Sequence, residues 1–343
     1  MRAAPGETTI MFESHFGLRQ RPFRAIPDTD SYYPATGHEQ AIAQMQSAIN
    51  HDEGAAVLTA EPGMGKTLTG NCLLDRLGES VTTGFLTQGI YADRAALLRA
   101  ILVDIGGAGD KVGEQDIRQA LTEMLLKNYE DTRRTVIVID EAQYLSIDQI
   151  EELRLLGNLE GKQGKAFQVV FLGLPGTLET LTHPRLASFN QRLAVRLQLE
   201  PLGLHESADY LVHQIRVAGG KPEAIVSDEA LELIAGACRG IPRLLNRAGC
   251  QGLSLAVSSG AEMLDAEVAL EALSLIGLGD PDATGADEEG DSMDEADLAR
   301  ELRPTVEVSP KLAQPDIATR QAENVMADHG RPRRLFSAPK RPA

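Results

Sequence analysis

Two hydrophobic periods divide this chain. Between residues 37 and 199, short runs of apolar residues are separated by longer stretches in which apolar residues return at i, i+3 and i+4, the pattern of strands alternating with amphipathic helices. The short runs predict strands over 55–59, 82–87, 135–140, 167–172 and 193–199, and the longer stretches predict helices over 37–50, 68–77, 93–105, 114–129 and 147–159. Thr135-Val136-Ile137-Val138-Ile139 is β-branched at every position, as expected of a parallel strand covered on both faces. Such alternation implies right-handed crossovers. The expected fold class is therefore α/β, a parallel sheet with helices on both faces and its ligand beyond the carboxyl ends of the strands. After residue 203 only the helical period persists, over 205–217, 227–238, 242–257 and 265–274, with Ser227 and Pro242 as start signals; this predicts a small all-helical domain.

The flanks follow neither period. Residues 1–11 carry no apolar repeat and are expected to be flexible, while the segment from Phe12 to Pro34 mixes aromatics with helix-breaking prolines and should pack against something larger. Beyond residue 277 an acidic block around Asp287-Glu288-Glu289 gives way to a basic end at Arg331-Pro332-Arg333-Arg334. That composition offers too little apolar surface to offset ordering entropy, so a disordered tail is expected over 277–343, with a short helix over 295–302 able to form on binding.

Chemistry concentrates where the first strand ends. Ala56-Val57-Leu58-Thr59 runs into Ala60-Glu61-Pro62-Gly63-Met64-Gly65-Lys66-Thr67 and then into a helical stretch beginning at Leu68, the strand, turn and helix in which a phosphate-binding loop is physically credible. Glycines let backbone N–H groups turn inward, the helix N-terminus adds partial positive charge, and Lys66 adds a full one. Residues 60–68 are thus the expected cradle for nucleotide phosphates, with Thr67 holding Mg²⁺ through its hydroxyl. Ala60 stands where such loops usually place their first glycine. The strand ending in Asp140-Glu141 supplies the other half of such a site: Asp140 would bind Mg²⁺ through water, and Glu141 would polarise the water that attacks the γ-phosphoryl group.

Composition narrows the classes. A formal net charge of −17 disfavours nonspecific nucleic-acid binding by the protein as a whole, although the basic end leaves a local DNA contact open. Three cysteines without a CxxC spacing suit neither a disulfide framework nor a zinc site, and buried reduced thiols are expected. No signal peptide and no run of about 18 apolar residues is visible, so the chain reads as soluble and cytoplasmic, with no transmembrane segment.

The motifs together carry a family resemblance. Phe16-Gly17-Leu18, Pro22-Phe23, Pro27-Asp28 and Tyr32, then Asp140-Glu141-Ala142-Gln143, Leu153 to Glu160, and Gln191-Arg192-Leu193-Ala194-Val195-Arg196 resemble, in this order, the AAA+ ATPases of the ExeA type (general secretion pathway protein A). Transposition-helper ATPases of the TniB and MuB kind share similar core motifs. The resemblance implies a P-loop NTPase domain over 12–202, a helical lid over 203–276, ATP hydrolysis with Mg²⁺, and a homo-oligomer that remodels or assembles a protein partner. It further implies that Arg192 is an arginine finger completing a neighbour's site, with Arg185 and Arg196 as alternatives. Arg243 would be the lid arginine facing the phosphates, and Phe23 and Tyr32 would either flank the adenine or simply pack. One departure stands out: Leu174 occupies the sensor-one position, where a polar residue is expected, so turnover is expected to be slow unless Asn158 or Thr177 substitutes. A nucleotide-gated scaffold with little turnover and a DNA-associated helper ATPase remain as alternatives.

Overall fold

The computed structural model describes residues 11–110, 113–162 and 164–279, all within one compact unit. The acidic block, the basic end and the 295–302 helix lie outside the described residues, as does nearly all of the 1–11 segment. Five strands, β1 (Ala55–Thr59), β2 (Val81–Leu86), β3 (Arg134–Ile139), β4 (Phe167–Gly173) and β5 (Leu193–Gln198), form one sheet in the order β2-β3-β4-β1-β5. Every pairing is parallel. The spatial order departs from the chain order, so β4 lies between β1 and β3, and the parallel pairing puts the carboxyl ends of β1, β3 and β4 on one edge.

Period-two alternation along β1, β3 and β4 sends side chains to two separate cores. Val57, Ile137, Ile139, Val169 and Phe171 face one side, covered by helices α3 (Arg94–Asp104), α4 (Glu114–Glu130) and α5 (Ile147–Leu156). Ala56, Leu58, Val138, Val170 and Leu172 face the other, covered by α1 (Thr36–Asn50) and α2 (Lys66–Arg76). Helix α2 comes very close to the sheet: a Cβ at Gly70 would stand 2.6 Å from Leu172 and 3.0 Å from Phe85. Because that helix begins at the candidate phosphate loop, its seating fixes where the loop points.

Helices α6 (Leu204–Val217), α7 (Asp228–Ala237), α8 (Pro242–Ser259) and α9 (Ala266–Leu275) bury a third cluster, which also takes in Leu18, Phe23 and Ala35 from the N-terminal segment. Phe23 is 5% exposed, and its ring packs so closely on α8 that a Cβ at Gly249 would meet it at 2.8 Å. Of the two readings of Phe23, packing holds and the place beside an adenine does not: it is core. Tyr32 packs instead against the α1–α2 cluster, with the Arg76 guanidinium over its ring at 5.8 Å. The sequence also concealed the four-residue helix Pro222–Ile225 and a small hairpin pairing Glu160–Gly161 with Gly164–Lys165, both too short to show a period.

The expected thiols are free, with Cys72 and Cys238 buried and Cys250 half-buried. Burial pushes Cys72 up to about 11 and Cys238 up to about 12, so neither is a thiolate at neutral pH. No helix of the described residues is long and apolar enough to cross a membrane.

One buried charge has a measurable consequence. Glu152 on α5 is 1% exposed and accepts from Arg118 at 2.5 Å, while its other oxygen has no partner. Desolvation raises its pKa, with Arg118 and Arg94 opposing. A carboxyl held above its ordinary value binds its proton better folded than unfolded, so its stability contribution is largest at low pH and is lost as pH rises through the folded value. Glu152→Gln is expected to raise the melting temperature at pH 7.5 and to raise it less at pH 5, by calorimetry at the two pH values; a larger gain at pH 5 would reverse the sign.

Candidate functional site

The turn after β1 is shaped by two glycines in left-handed backbone, Gly63 at φ +80° and Gly65 at φ +87°, a region that glycine enters without Cβ strain. Gly63 has no room for a side chain and Gly65 little. A Cβ at Gly63 would meet that of Arg243 at 2.7 Å, and one at Gly65 would come within 3.3 Å of His38. The turn is also tied on both flanks. The Arg243 backbone N–H donates to the Gly63 carbonyl at 3.1 Å, which seats the start of α8 on the loop, and the His38 Nε2 lies 2.8 Å from the Met64 carbonyl oxygen. His38 is a buried residue of α1 that sequence reasoning missed, because one histidine on an amphipathic helix carries no distinguishing spacing. Helix α1 is in turn capped from α6, where a Glu206 carboxylate oxygen accepts from the Thr36 N–H at 2.7 Å.

Within this turn Lys66 is buried, and its ammonium donates to the Ala60 and Glu61 carbonyls at 2.9 and 3.1 Å. Ala60 is itself fully buried, so a methyl group is tolerated at the usual glycine position. Leu68 continues α2 into the α1–α2 cluster. Across the sheet edge, the Thr67 hydroxyl donates to Asp140 Oδ2 at 2.5 Å, joining two groups from opposite sides of β4. The Asp140 N–H is held by the Leu86 carbonyl at 2.8 Å, and its Oδ1 accepts from the Glu141 N–H at 2.9 Å.

Electrostatics at this edge are unbalanced in a specific way. Desolvation lowers the Lys66 pKa against the pull of Glu141, Asp140 and Glu61, and desolvation raises that of Asp140 against the Thr67 hydrogen bond. A desolvated cation and a desolvated carboxylate therefore face one edge without an ion pair between them. An anionic polyphosphate with a divalent cation is complementary to both, so the residues fit that pair of groups. Magnesium suits a site offering one carboxylate and one hydroxyl, since it keeps several waters and substrate oxygens in its shell.

Glu141 takes φ +53°, a left-handed conformation uncommon outside glycine. Its surroundings leave little choice: a Cβ at Gly89 would lie 2.1 Å from the Glu141 carbonyl oxygen, and the loop carrying Gly89 is pinned by Gln149 Nε2, which donates to the Tyr91 carbonyl at 3.0 Å. Gly89→Ala is expected to destabilise the protein by about 1–3 kcal/mol, the usual cost of overpacking where backbone meets backbone. Denaturant melts would show it, and an unchanged midpoint would mean that this contact is loose.

The remaining sequence candidates divide between the two ends of the sheet. Arg243 stands at the loop. Arg192 stands at the opposite end, its carbonyl accepting from the Ala55 N–H at 3.2 Å at the start of β1. Five strand residues, roughly 16 Å at 3.3 Å each, separate it from the loop of its own chain. Its guanidinium contacts the Asn158 side chain, which removes Asn158 as a substitute for the sensor-one residue. Arg185 is paired with Asp148 at 2.6 Å and Arg196 with Asn190 at 2.5 Å. Thr177 does lie near the site: a Cβ at Gly173 would stand 2.2 Å from its hydroxyl, which is buried without a partner.

A parallel sheet in the order β2-β3-β4-β1-β5, with a glycine turn and helix after β1 and an acidic pair after β3, is the P-loop NTPase fold of the AAA+ class. Residues 49–181 match the family described as an AAA domain, and the resemblance to ExeA-type AAA+ ATPases is borne out by a curated relative. That relative is General secretion pathway protein A of Aeromonas hydrophila, 31% identical over 272 residues that make up 79% of this chain and 49% of the relative. The chain thus spans about half the length of the relative it matches. Among solved structures, CDC6P from Pyrobaculum aerophilum is similar with a TM-score of 0.58 and 19% identity, covering 73% of this chain and 71% of that one. The Aeropyrum pernix ORC2 protein, in ADPNP–ADP complexes, is similar with a TM-score of 0.57 and 16% identity, covering 69% and 66%. At these identities the likeness to the two structures is one of fold.

Proposed function

We propose that this chain binds ATP with Mg²⁺ at the turn after β1 and hydrolyses it, acting in the cytoplasm as a switch or motor within a homo-oligomer. The observation that carries this reading is the Thr67–Asp140 hydrogen bond, which joins the turn after β1 to the acidic end of β3 on the strand edge where Lys66 is buried and so supports reading them as two halves of one site. The ADPNP–ADP complexes of the similar ORC2 protein support nucleotide as the ligand. Backbone N–H groups of the turn and Lys66 would hold the phosphates, with Thr67 and Asp140 holding Mg²⁺ and Arg243 approaching from α8. Magnesium supplies neutralisation of phosphate charge when bound. Glu141 would orient the attacking water and accept its proton, and Arg192 would serve a neighbouring subunit. The relative's name points to secretion as the setting in which a protein partner is remodelled or assembled. A nucleotide-gated scaffold is the second reading, and the apolar Leu174 at the end of β4 is what favours it.

Lys66→Ala tests the site. Hydrogen bonds to a charged group are worth about 1.5–3 kcal/mol, so ATP affinity is expected to fall roughly 10- to 150-fold in titration calorimetry with Mg²⁺ present. Undiminished affinity would remove the turn after β1 as the phosphate site.

A further inference from the structure

The end of β4 presents an apolar Leu174 between the loop after β1 and the acidic pair after β3, yet the position is not idle. Gln143, two residues beyond Glu141, uses both ends of its amide. Its Nε2 donates to Glu141 Oε2 at 2.5 Å, and its Oε1 accepts from the Leu174 backbone N–H at 3.1 Å. The amide thereby bridges the end of β4 to the carboxylate. The bridge also explains the glycine before Leu174. A Cβ at Gly173 would stand 3.0 Å from Gln143 Oε1 and 2.2 Å from Thr177 Oγ1, so a larger residue there would push the amide out of place.

We propose that Gln143 is a positioning residue that fixes the Glu141 carboxylate and couples it to the end of β4 through the Leu174 N–H, supplying from the β3 side the polar group that the Leu174 side chain lacks. An amide suits the task because it accepts at one end and donates at the other. A carboxylate at 143 could satisfy the Leu174 N–H but would bring no proton to Glu141. The inference rests on the ATPase reading above for its effect on turnover, and on geometry alone for the bridge.

The test uses the full chain and two substitutions, Gln143→Met, which keeps the unbranched shape, and Gln143→Asn, which keeps the amide but is one methylene too short to span both contacts. Both are expected to lower kcat roughly tenfold or more with KM and ATP affinity unchanged. In a Glu141→Gln background the same substitutions should cost nothing further, because Gln143 acts only through Glu141. A part in general folding would instead make the losses additive and lower the melting temperature. An NMR arm needs no turnover. Glu141→Gln should move the Leu174 amide resonance in the otherwise native chain and leave it still in the Gln143→Met chain. Unchanged kcat in an active wild type, additive losses, or a Leu174 resonance that ignores Glu141 would overturn the proposal. A wild type without turnover but with the coupled resonance would sink hydrolysis while the bridge stands.

Discussion

Glu141→Gln is expected to leave ATP affinity nearly unchanged and to lower turnover by about 10²–10⁴-fold, the range that a positioned general base supplies. The substitution is nearly isosteric and keeps the surroundings. Residue 141 would retain its left-handed backbone, its N–H to Asp140 Oδ1 and its fit against Gly89, and an amide oxygen there can still accept from Gln143. Lost are the negative charge and the ability to take a proton from water. On the proposed reading binding depends on the turn after β1, which the change does not touch, so ATP should accumulate on the protein and any ATP-dependent oligomer should persist. Phosphate release would give the rate, calorimetry the affinity, and sedimentation with ATP the assembly. Unchanged turnover would show that Glu141 is not the base, whereas a large loss of affinity would place it in binding.

The fold was legible in proportion to how local its causes are. β1 was read residue for residue because Ala55 to Thr59 are all buried, and a run with no polar interruption marks itself. β2, β3, β4 and β5 each shifted by a residue at one end or both, the central strands as well as the edge ones, since a strand's boundary rests on pairing that the sequence does not display. At the candidate site, Gly63, Gly65, Lys66 and Thr67 lie in one turn and Asp140 and Glu141 are adjacent, so each half was readable by spacing. What was not readable depends on the strand order. Because β4 lies between β1 and β3, Gly173 and Leu174 end up beside Gln143, and a bridge over thirty-one positions of chain leaves no local pattern. The same holds for His38 beneath Met64 and for Gly63 against Arg243, where α1 and α8 approach the turn from elsewhere. The two readings of Phe23 stayed open for a related reason: an aromatic near a nucleotide motif invites a ligand role as readily as packing, and only the tertiary contact with Gly249 shows it to be core.

Arg192→Ala is expected to reduce turnover by about 10³-fold or more, as loss of an arginine finger does, while leaving the ATP affinity of the isolated subunit almost untouched. Its position makes the expectation specific. With Arg192 at the start of β5 and the turn at the far end of β1, a single chain cannot bring its own guanidinium to its own phosphates. Either the residue acts on a neighbour or it does not act on phosphate at all. If it acts on a neighbour, a monomer holds part of a site, and activity per subunit should rise with protein concentration as subunits associate. Mixing Arg192→Ala with Lys66→Ala sharpens the test. The first chain keeps the turn and lacks the finger, the second has the reverse, and an interface that pairs them properly rebuilds one complete site. Partial recovery of phosphate release on mixing, with subunit exchange verified by labelled chains, is the result expected of a shared site. Normal hydrolysis by Arg192→Ala, at a rate per subunit that does not depend on concentration, would leave the Arg192–Asn158 contact as a structural tie at the foot of the sheet and send the search for a finger to Arg185 and Arg196, whose contacts with Asp148 and Asn190 would then have to open.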